Sequence, residues 1–268
     1  MNHIAEQVLA NEAVMDTLET LMDRAWPATD VEECNGWVLR SAGSVTQRAN
    51  SVWPARTPDD AQVALSAATA WYTQRRQPVI FQLTHRDRNE ALERLLDSRN
   101  FSRQSETLIM TAPSATAHAI ANSPAGIAIT LSNALSDEWI ELWWSVDGRG
   151  GPAERDIART ILEGAPAIYA TALSEEGSVV GTGRLATVDG WGGLYSMAVR
   201  PDARRQGVAT AVMSALLDAG RAAGLHDFWL MVTAANTGAQ ELYANAGFVE
   251  VGRYHYRQAP LRRAPGAC

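Results

Sequence analysis

Residues 51–101 and 198–248 carry one pattern twice, at a fixed, ungapped offset of 147 residues. Val52 falls on Val199, Pro54 on Pro201, and Ala64 and Ala68 on Ala211 and Ala215. Phe81 and Leu83 fall on Phe228 and Leu230, Asn89 on Asn236, Leu95 on Leu242 and Phe101 on Phe248. Both windows read as strand, Pro stop, long helix, apolar strand, Asn, short helix, Phe. Self-similarity at one offset is the mark of a duplicated supersecondary unit, here an α/β unit. A chain of 268 residues has core material for two such units.

The copies differ where chemistry would sit. In the second, Leu194 to Val199 is apolar and β-prone, and Pro201 and Asp202 stop it. From Val208 the period turns helical, with Ala211, Val212, Ala215, Leu216 and Ala219 on one stripe. Gly207 at the junction allows close backbone approach. The free N–H groups of a first helical turn, with the helix dipole, favour an anion there, and Arg204 and Arg205 add fixed positive charge. The loop reads as a phosphate or pyrophosphate site. In the first copy Asp60 replaces the Gly, Thr57-Pro58 replace the two Arg residues, and Leu96 stands where the second has Tyr243. A carboxylate at the Gly position would crowd and repel a phosphate. One working site is therefore expected, in the C-terminal half.

The rest of that half reads as strand from Gly126 to Leu131, helices from Asp137 to Val146 and Glu154 to Leu162, and strands Ala167–Leu173 and Val179–Val188. An Asp189-Gly190 hairpin turn leads into the strand Trp191–Val199. Strand Asp227–Thr233, helix Thr237–Ala246 and strand Phe248–Tyr256 follow. This order predicts a mixed α/β sheet. The N-terminal stretch reads as an amphipathic helix with Ile4, Val8, Val14, Leu18 and Leu21 inward, and its acids exclude a signal peptide. Ala112 to Gly126 reads as a linker. Its prolines and small polar residues make a poor membrane span.

A net charge of −7 and a pI of about 5.3 argue against general nucleic-acid binding. Arg253, Arg257, Arg262 and Arg263 read as a solvated tail. Cys34 and Cys268 lack metal or disulfide spacing, which fits a reducing cytoplasm. The Gly turn lacks the Gly-Lys-Ser/Thr ending of a P-loop, and a single Gly does not make a dinucleotide fingerprint.

Two motifs together carry a resemblance. Arg204-Arg205-Gln206-Gly207-Val208-Ala209 resembles the (Arg/Gln)-x-x-Gly-x-(Gly/Ala) turn of the GNAT superfamily of acyl-CoA-dependent N-acetyltransferases. Asn236, Leu242-Tyr243 and Gly247-Phe248 resemble its second hallmark, an Asn after the fifth strand followed by a short helix ending in Gly-Phe. Residues 127–258 resemble a catalytic GNAT domain and residues 1–112 a degenerate one, joined by a linker at 113–126 and followed by a tail at 259–268. The resemblance implies a tandem architecture of two domains, each a twisted, mostly antiparallel sheet flanked by helices. It implies acetyl-CoA as co-substrate, with no metal. Arg204, Arg205, Gln206, Gly207, Val208, Ala209 and Thr210 would hold the pyrophosphate. Met197, Ala198 and Val199 would pair with the pantetheine arm if the fourth and fifth strands part at a bulge. Asn236 would bind the cofactor arm, cap the helix that follows, or both. Tyr243 would be the general acid.

The deprotonating group is unmarked; Glu141, Asp147, Glu154, Asp189 and His255 are candidates, each also explicable as a surface or salt-bridging residue. Of the adjacent Trp143 and Trp144, one is expected in the core and the other at an acceptor pocket. One of Tyr195 and Ser196 is expected to face the cleft. The acids between Ile127 and Gly190 are either ordinary surface or a negative cleft for a cationic amine. The acceptor is expected to be a small amine-bearing molecule, and the protein a cytoplasmic monomer or homodimer that binds neither nucleic acid nor membrane. The rival reading is an acyl-CoA sensor or assembly module without catalysis.

Overall fold

The computed structural model describes residues 2–118 and 126–260, with side chains from residue 12 onward. Ile4, Val8, Arg262, Arg263, Cys268 and the middle of the expected linker lie outside the described side chains. The chain divides into two compact units that interleave along the sequence. Met1–Pro27 joins Leu108–Val251 in the first unit, and Ala28–Thr107 joins Gly252–Cys268 in the second unit. The expected division followed chain order instead, at 112/113, 126/127 and 258/259.

The second unit contains β1 (Asp30–Cys34), β2 (Trp37–Ser41), β3 (Val52–Trp53), α2 (Ala61–Gln74), β4 (Ile80–Thr84) and α3 (Glu90–Ser98). The first unit contains α1 (Asn2–Ala25), β6 (Ala128–Ser132), α4 (Asp137–Asp147), α5 (Pro152–Glu163), β7 (Ala167–Leu173), β8 (Val179–Val188), β9 (Trp191–Val199), α6 (Val208–Ala222), β10 (Asp227–Thr233) and α7 (Thr237–Asn245). The remaining strands, β5 (Ser102–Pro113) and β11 (Val249–Gln258), each contribute to both units. The offset of 147 residues carries α3 onto α7 end for end.

The strands run in one eleven-stranded sheet, ordered β1-β2-β3-β4-β11-β5-β10-β9-β8-β7-β6. This corrects the expectation of two separate sheets. The reason is an exchange of closing strands. β11, which ends the second copy, pairs antiparallel with β4 of the first, from Tyr254↔Thr84 to Gln258↔Ile80. β5, which ends the first copy, lies beside β10 of the second. Pairing is antiparallel between β1 and β2, β2 and β3, and from β6 through β9; it is parallel for β3–β4 and β9–β10. The Asp189-Gly190 turn has both residues at positive φ, the geometry a two-residue hairpin needs.

Alternation along β8 separates two faces. Gly181, Gly183 and Leu185 meet α6: a Cβ on Gly181 would lie 2.6 Å from Val208, and one on Gly183 2.6 Å from Val212. Glycine is used here because the helix sits against the strand backbone. Arg184 points the other way and is fully buried. Its guanidinium donates to Ala25 O at 3.0 Å and to Ala165 O at 3.3 Å, so it meets the carbonyl end of α1. Burial pushes its pKa below the ordinary arginine value, and Tyr169 pulls it back. α1 turns Met15, Leu18, Leu21, Met22 and Ala25 inward, whereas Val14 is 42% exposed, contrary to the inward position expected of it.

Replacing Gly183 by Ala should destabilise the protein by about 1–3 kcal/mol, because the added methyl meets both Val212 and Met197 at 2.6 Å. Urea unfolding measures this; a change below about 0.5 kcal/mol would show that α6 can withdraw freely.

Candidate active site

The candidate site is a gap between two strands that start as partners. β9 and β10 pair in parallel from Trp191↔Asp227 to Leu194↔Leu230, and the register stops there although both strands continue. On its other side β9 slips against β8: Arg184 faces Tyr195 and Thr182 faces Ala198, so Ser196 and Met197 together oppose Gly183. That is a β-bulge, and Ser196 takes φ +53° to make it. A bulge bends a strand, and here it falls where β9 leaves β10. Met197, Ala198 and Val199 follow it, with Ala198 and Val199 paired to β8.

Beyond β9 the chain passes a short 3-10 turn, Pro201–Ala203, and enters α6. Arg205 and Gly207 both have positive φ, at 62° and 81°. Gly207 is the N-cap of α6, and it has no side chain to bond the first-turn N–H groups. Arg204, Arg205, Gln206 and Gly207 are exposed, whereas Val208 is buried. Arg204 Nε donates to Val199 O at 3.2 Å and Gln206 Nε2 to Asp202 O at 2.9 Å, so the loop is braced from within. Ala209 and Thr210 are half-buried on the first turn. Backbone amides turned one way by alternating φ signs form an anion-binding concavity. The first copy shows what fills it there: Asp60 caps α2, its carboxylate accepting from Gln62 N at 2.8 Å and Val63 N at 3.1 Å.

Tyr243 lies on α7, 8% exposed, against Phe248. Burial pushes its pKa up to about 12. Asn236 is exposed and caps α7, its side-chain oxygen accepting from Ala239 N at 3.1 Å. The cap is one of the two readings open for it.

On the face opposite α6, Trp26 stacks on Tyr195 with centroids 5.5 Å apart and planes 14° from parallel. Trp143 meets Trp26 edge-on, and Trp229 Nε1 donates to the Tyr195 hydroxyl at 3.3 Å. Trp143 is buried and Trp144 half-buried. Trp26 was not singled out from sequence, although it extends the inward spacing Leu18, Met22 by one further helical step.

The candidate bases are mostly engaged. Glu141 pairs with Arg155 and Asp189 with Arg24. Glu154 accepts from Gly151 N at 2.8 Å, which holds its carboxyl below the usual range. His255 belongs to the second unit and sits 2.7 Å from Glu93. Asp137 pairs with Arg159 at 2.5 Å, so several of the acids that could have made a negative cleft are surface ion pairs. Among the described residues no group of three or more His, Cys, Asp or Glu could hold a metal, and no helix is long and apolar enough to cross a membrane.

Comparison with known proteins places the chain among the GNAT N-acetyltransferases. It belongs to the family described as probable histone acetyltransferase Rv0428c C-terminal, matched over residues 13–257. It is 25% identical over 240 residues to an uncharacterized N-acetyltransferase, YobR, of Bacillus subtilis, covering 90% of this chain and 96% of that one. Its fold is similar to a GCN5-related N-acetyltransferase from Kribbella flavida, with TM-score 0.70, 17% identity and coverage of 94% and 96%. It is also similar to a tandem GNAT protein from the clavulanic acid biosynthesis pathway, with TM-score 0.62, 13% identity and coverage of 74% and 69%. GNAT acetyltransferases use acetyl-CoA as co-substrate.

The Asp60 cap gives a direct test of the contrast between the copies. Asp60→Ala should lower stability by about 1 kcal/mol through the two lost bonds to α2. Equilibrium denaturation reads this out; unchanged stability would show that the α2 N–H groups need no carboxylate.

Proposed function

We propose that this protein transfers an acetyl group from acetyl-CoA to a primary amine by direct attack. The observation that carries the reading is the uncapped mouth of α6, set against the carboxylate-filled mouth of α2. The amides of Arg205 to Ala209 would take the diphosphate, with Arg204, Arg205 and Gln206 at its rim and Thr210 one position further along the first turn. The arm would then lie along Met197, Ala198 and Val199, in place of the β10 pairing that ends at Leu194. Asn236, at the C-terminal end of β10, would steady it.

The neutral amine attacks the thioester carbonyl carbon, a C–N bond forms, and the C–S bond breaks. The coenzyme thiolate leaves, and the attacking nitrogen releases one proton. Tyr243 gives its phenolic proton to that thiolate and is reprotonated from the amine side. A phenol near 12 stays protonated at neutral pH, so the donor is always loaded. A thiol has a pKa of about 8.5, so the transfer favours hydrogen bonding to the nascent thiolate over early release of the proton.

A small amine-bearing molecule is the acceptor we favour; Trp26, Tyr195 and Trp143 are buried against one another and would support the cleft from behind rather than touch the substrate. The family's description supports a second acceptor, a protein lysine, and an amine panel that includes lysine peptides separates the two.

Tyr243→Phe should lower kcat by about a hundredfold or more while acetyl-CoA binding persists. The raised phenol pKa carries a sign. The acid form is lost only as pH approaches about 12, so wild-type kcat should show no Tyr243-dependent fall below about pH 10. A fall near pH 9 that the Phe variant abolishes would contradict this. Gly207→Asp should weaken acetyl-CoA binding by about tenfold or more, measured by calorimetry, because the carboxylate would occupy the amides as Asp60 does. Unchanged affinity would remove the loop from the site. A protein that binds acetyl-CoA yet acetylates no amine in the panel would be a sensor.

A further inference from the structure

The second unit contains a polar cavity of about 820 Å³ between α3, the end of β4, and the strands β5 and β11. It is separate in the chain from every residue placed in the acetyl-transfer site. Its deep wall is charged. Arg257 is 5% exposed and donates to Glu93 Oε2 at 2.6 Å and to Phe101 O at 2.8 Å, and it pairs with Asp97. This corrects the reading of Arg257 as part of a solvated tail. His255 is 1% exposed, with Nε2 2.7 Å from Glu93 Oε1 and Nδ1 3.0 Å from His85 Nε2. Arg103, half-exposed at the mouth, reaches the same His85 Nε2 at 3.1 Å.

Three basic side chains thus stand in a row, Arg103, His85 and His255, with one carboxylate, Glu93, at the inner end. His85 Nε2 lies within hydrogen-bonding distance of both Arg103 and His255 Nδ1. Glu106 lies near the outer end but is closer to Arg253, at 2.9 Å, than to Arg103, at 3.5 Å. Burial lowers the pKa of His85, and the charges of His255 and Arg103 lower it further; Glu106 and Glu93 oppose them. At the open end a single carboxylate, Glu106, is shared between Arg103 and Arg253.

The copy relation strengthens the point. The offset that superposes the copies puts Val232 at the place of His85, Gln240 at that of Glu93 and Glu250 at that of Arg103. The charged row is therefore no part of the shared fold. At the inner end, where His255 and Arg257 are buried, charges cost several kcal/mol each in desolvation, whereas His85 and Arg103 stand exposed at the mouth. A ligand that uses the charges accounts for them.

We propose that this cavity is a second binding site, for a small organic anion bearing carboxylate or phosphate groups, held at the outer end of the row by Arg103 and His85. Guanidinium and imidazole N–H groups suit either oxyanion, and the volume is that of a metabolite site.

The test uses the full chain and two probes, citrate and inorganic phosphate, with putrescine as a cationic control. Imidazole NMR signals are followed, that of His85 being assigned by its loss in His85→Gln. One or both anions should shift the His85 signals at concentrations up to about 10 mM, and the tighter probe names the class. Arg103→Gln, at a half-exposed position, should weaken that response about tenfold. Gly207→Asp should leave it unchanged. The proposal is overturned if neither anion shifts His85, if putrescine alone does, if Arg103→Gln has no effect, or if the response disappears in Gly207→Asp.

Discussion

The parting of β9 from β10 is the constraint on which the site depends. Two parallel strands that stayed paired would satisfy each other's N–H and C=O groups and leave nothing for a ligand. Here pairing stops at Leu194 and Leu230, and the bulge at Ser196 and Met197 turns β9 away just past that point. The bulge is held by packing. Gly183 leaves room for Met197, and α6 closes over the same glycine through Val212 and Leu216. The helix that fixes the bulge is also the helix whose N-terminus faces the loop. One packing contact therefore sets both the gap and the amides at its end.

The two copies differ at the mouth of one helix. α2 and α6 occupy equivalent places, yet one opens on Asp60 and the other on Gly207. A carboxylate carried by the chain satisfies two first-turn N–H groups of α2. The unit with Asp60 holds a charged row, exposed at Arg103 and His85 and buried at His255, that the offset does not carry to the other copy. On the reading advanced above, the two copies have taken opposite routes with one scaffold, a preformed anion mouth in one and a side-chain cavity in the other.

Much of the C-terminal half was legible because its signals are local. β7, β8, β9 and β10 have the bounds that alternation and the Asp189-Gly190 turn predicted, and α6 begins at the expected Val208. Periodicity reports which face a residue takes within one element, and the inward Leu18 and Leu21 follow from it. What stayed hidden is partnership between distant segments. Nothing in the composition of β5 or β11 tells which strand each will pair with, so the exchange of closing strands was invisible. The same holds for α1. Its stripe predicts a buried face, but the carbonyls that Arg184 meets lie 159 residues away. Arg257 looked like tail because its neighbours in sequence are polar; its carboxylate partners are on α3. Val14 failed for a different reason, since a stripe on a 24-residue helix drifts and the packed face runs through Met15 instead.

A crystal structure of the full chain with acetyl-CoA tests the central claim most directly. The account predicts the diphosphate against the amides of Arg205 to Ala209, the arm beside Met197 to Val199, and the thioester within hydrogen-bonding reach of the Tyr243 hydroxyl. Cofactor density at the mouth of α2, or in the β9–β10 gap with Tyr243 turned away from the sulfur, would contradict it.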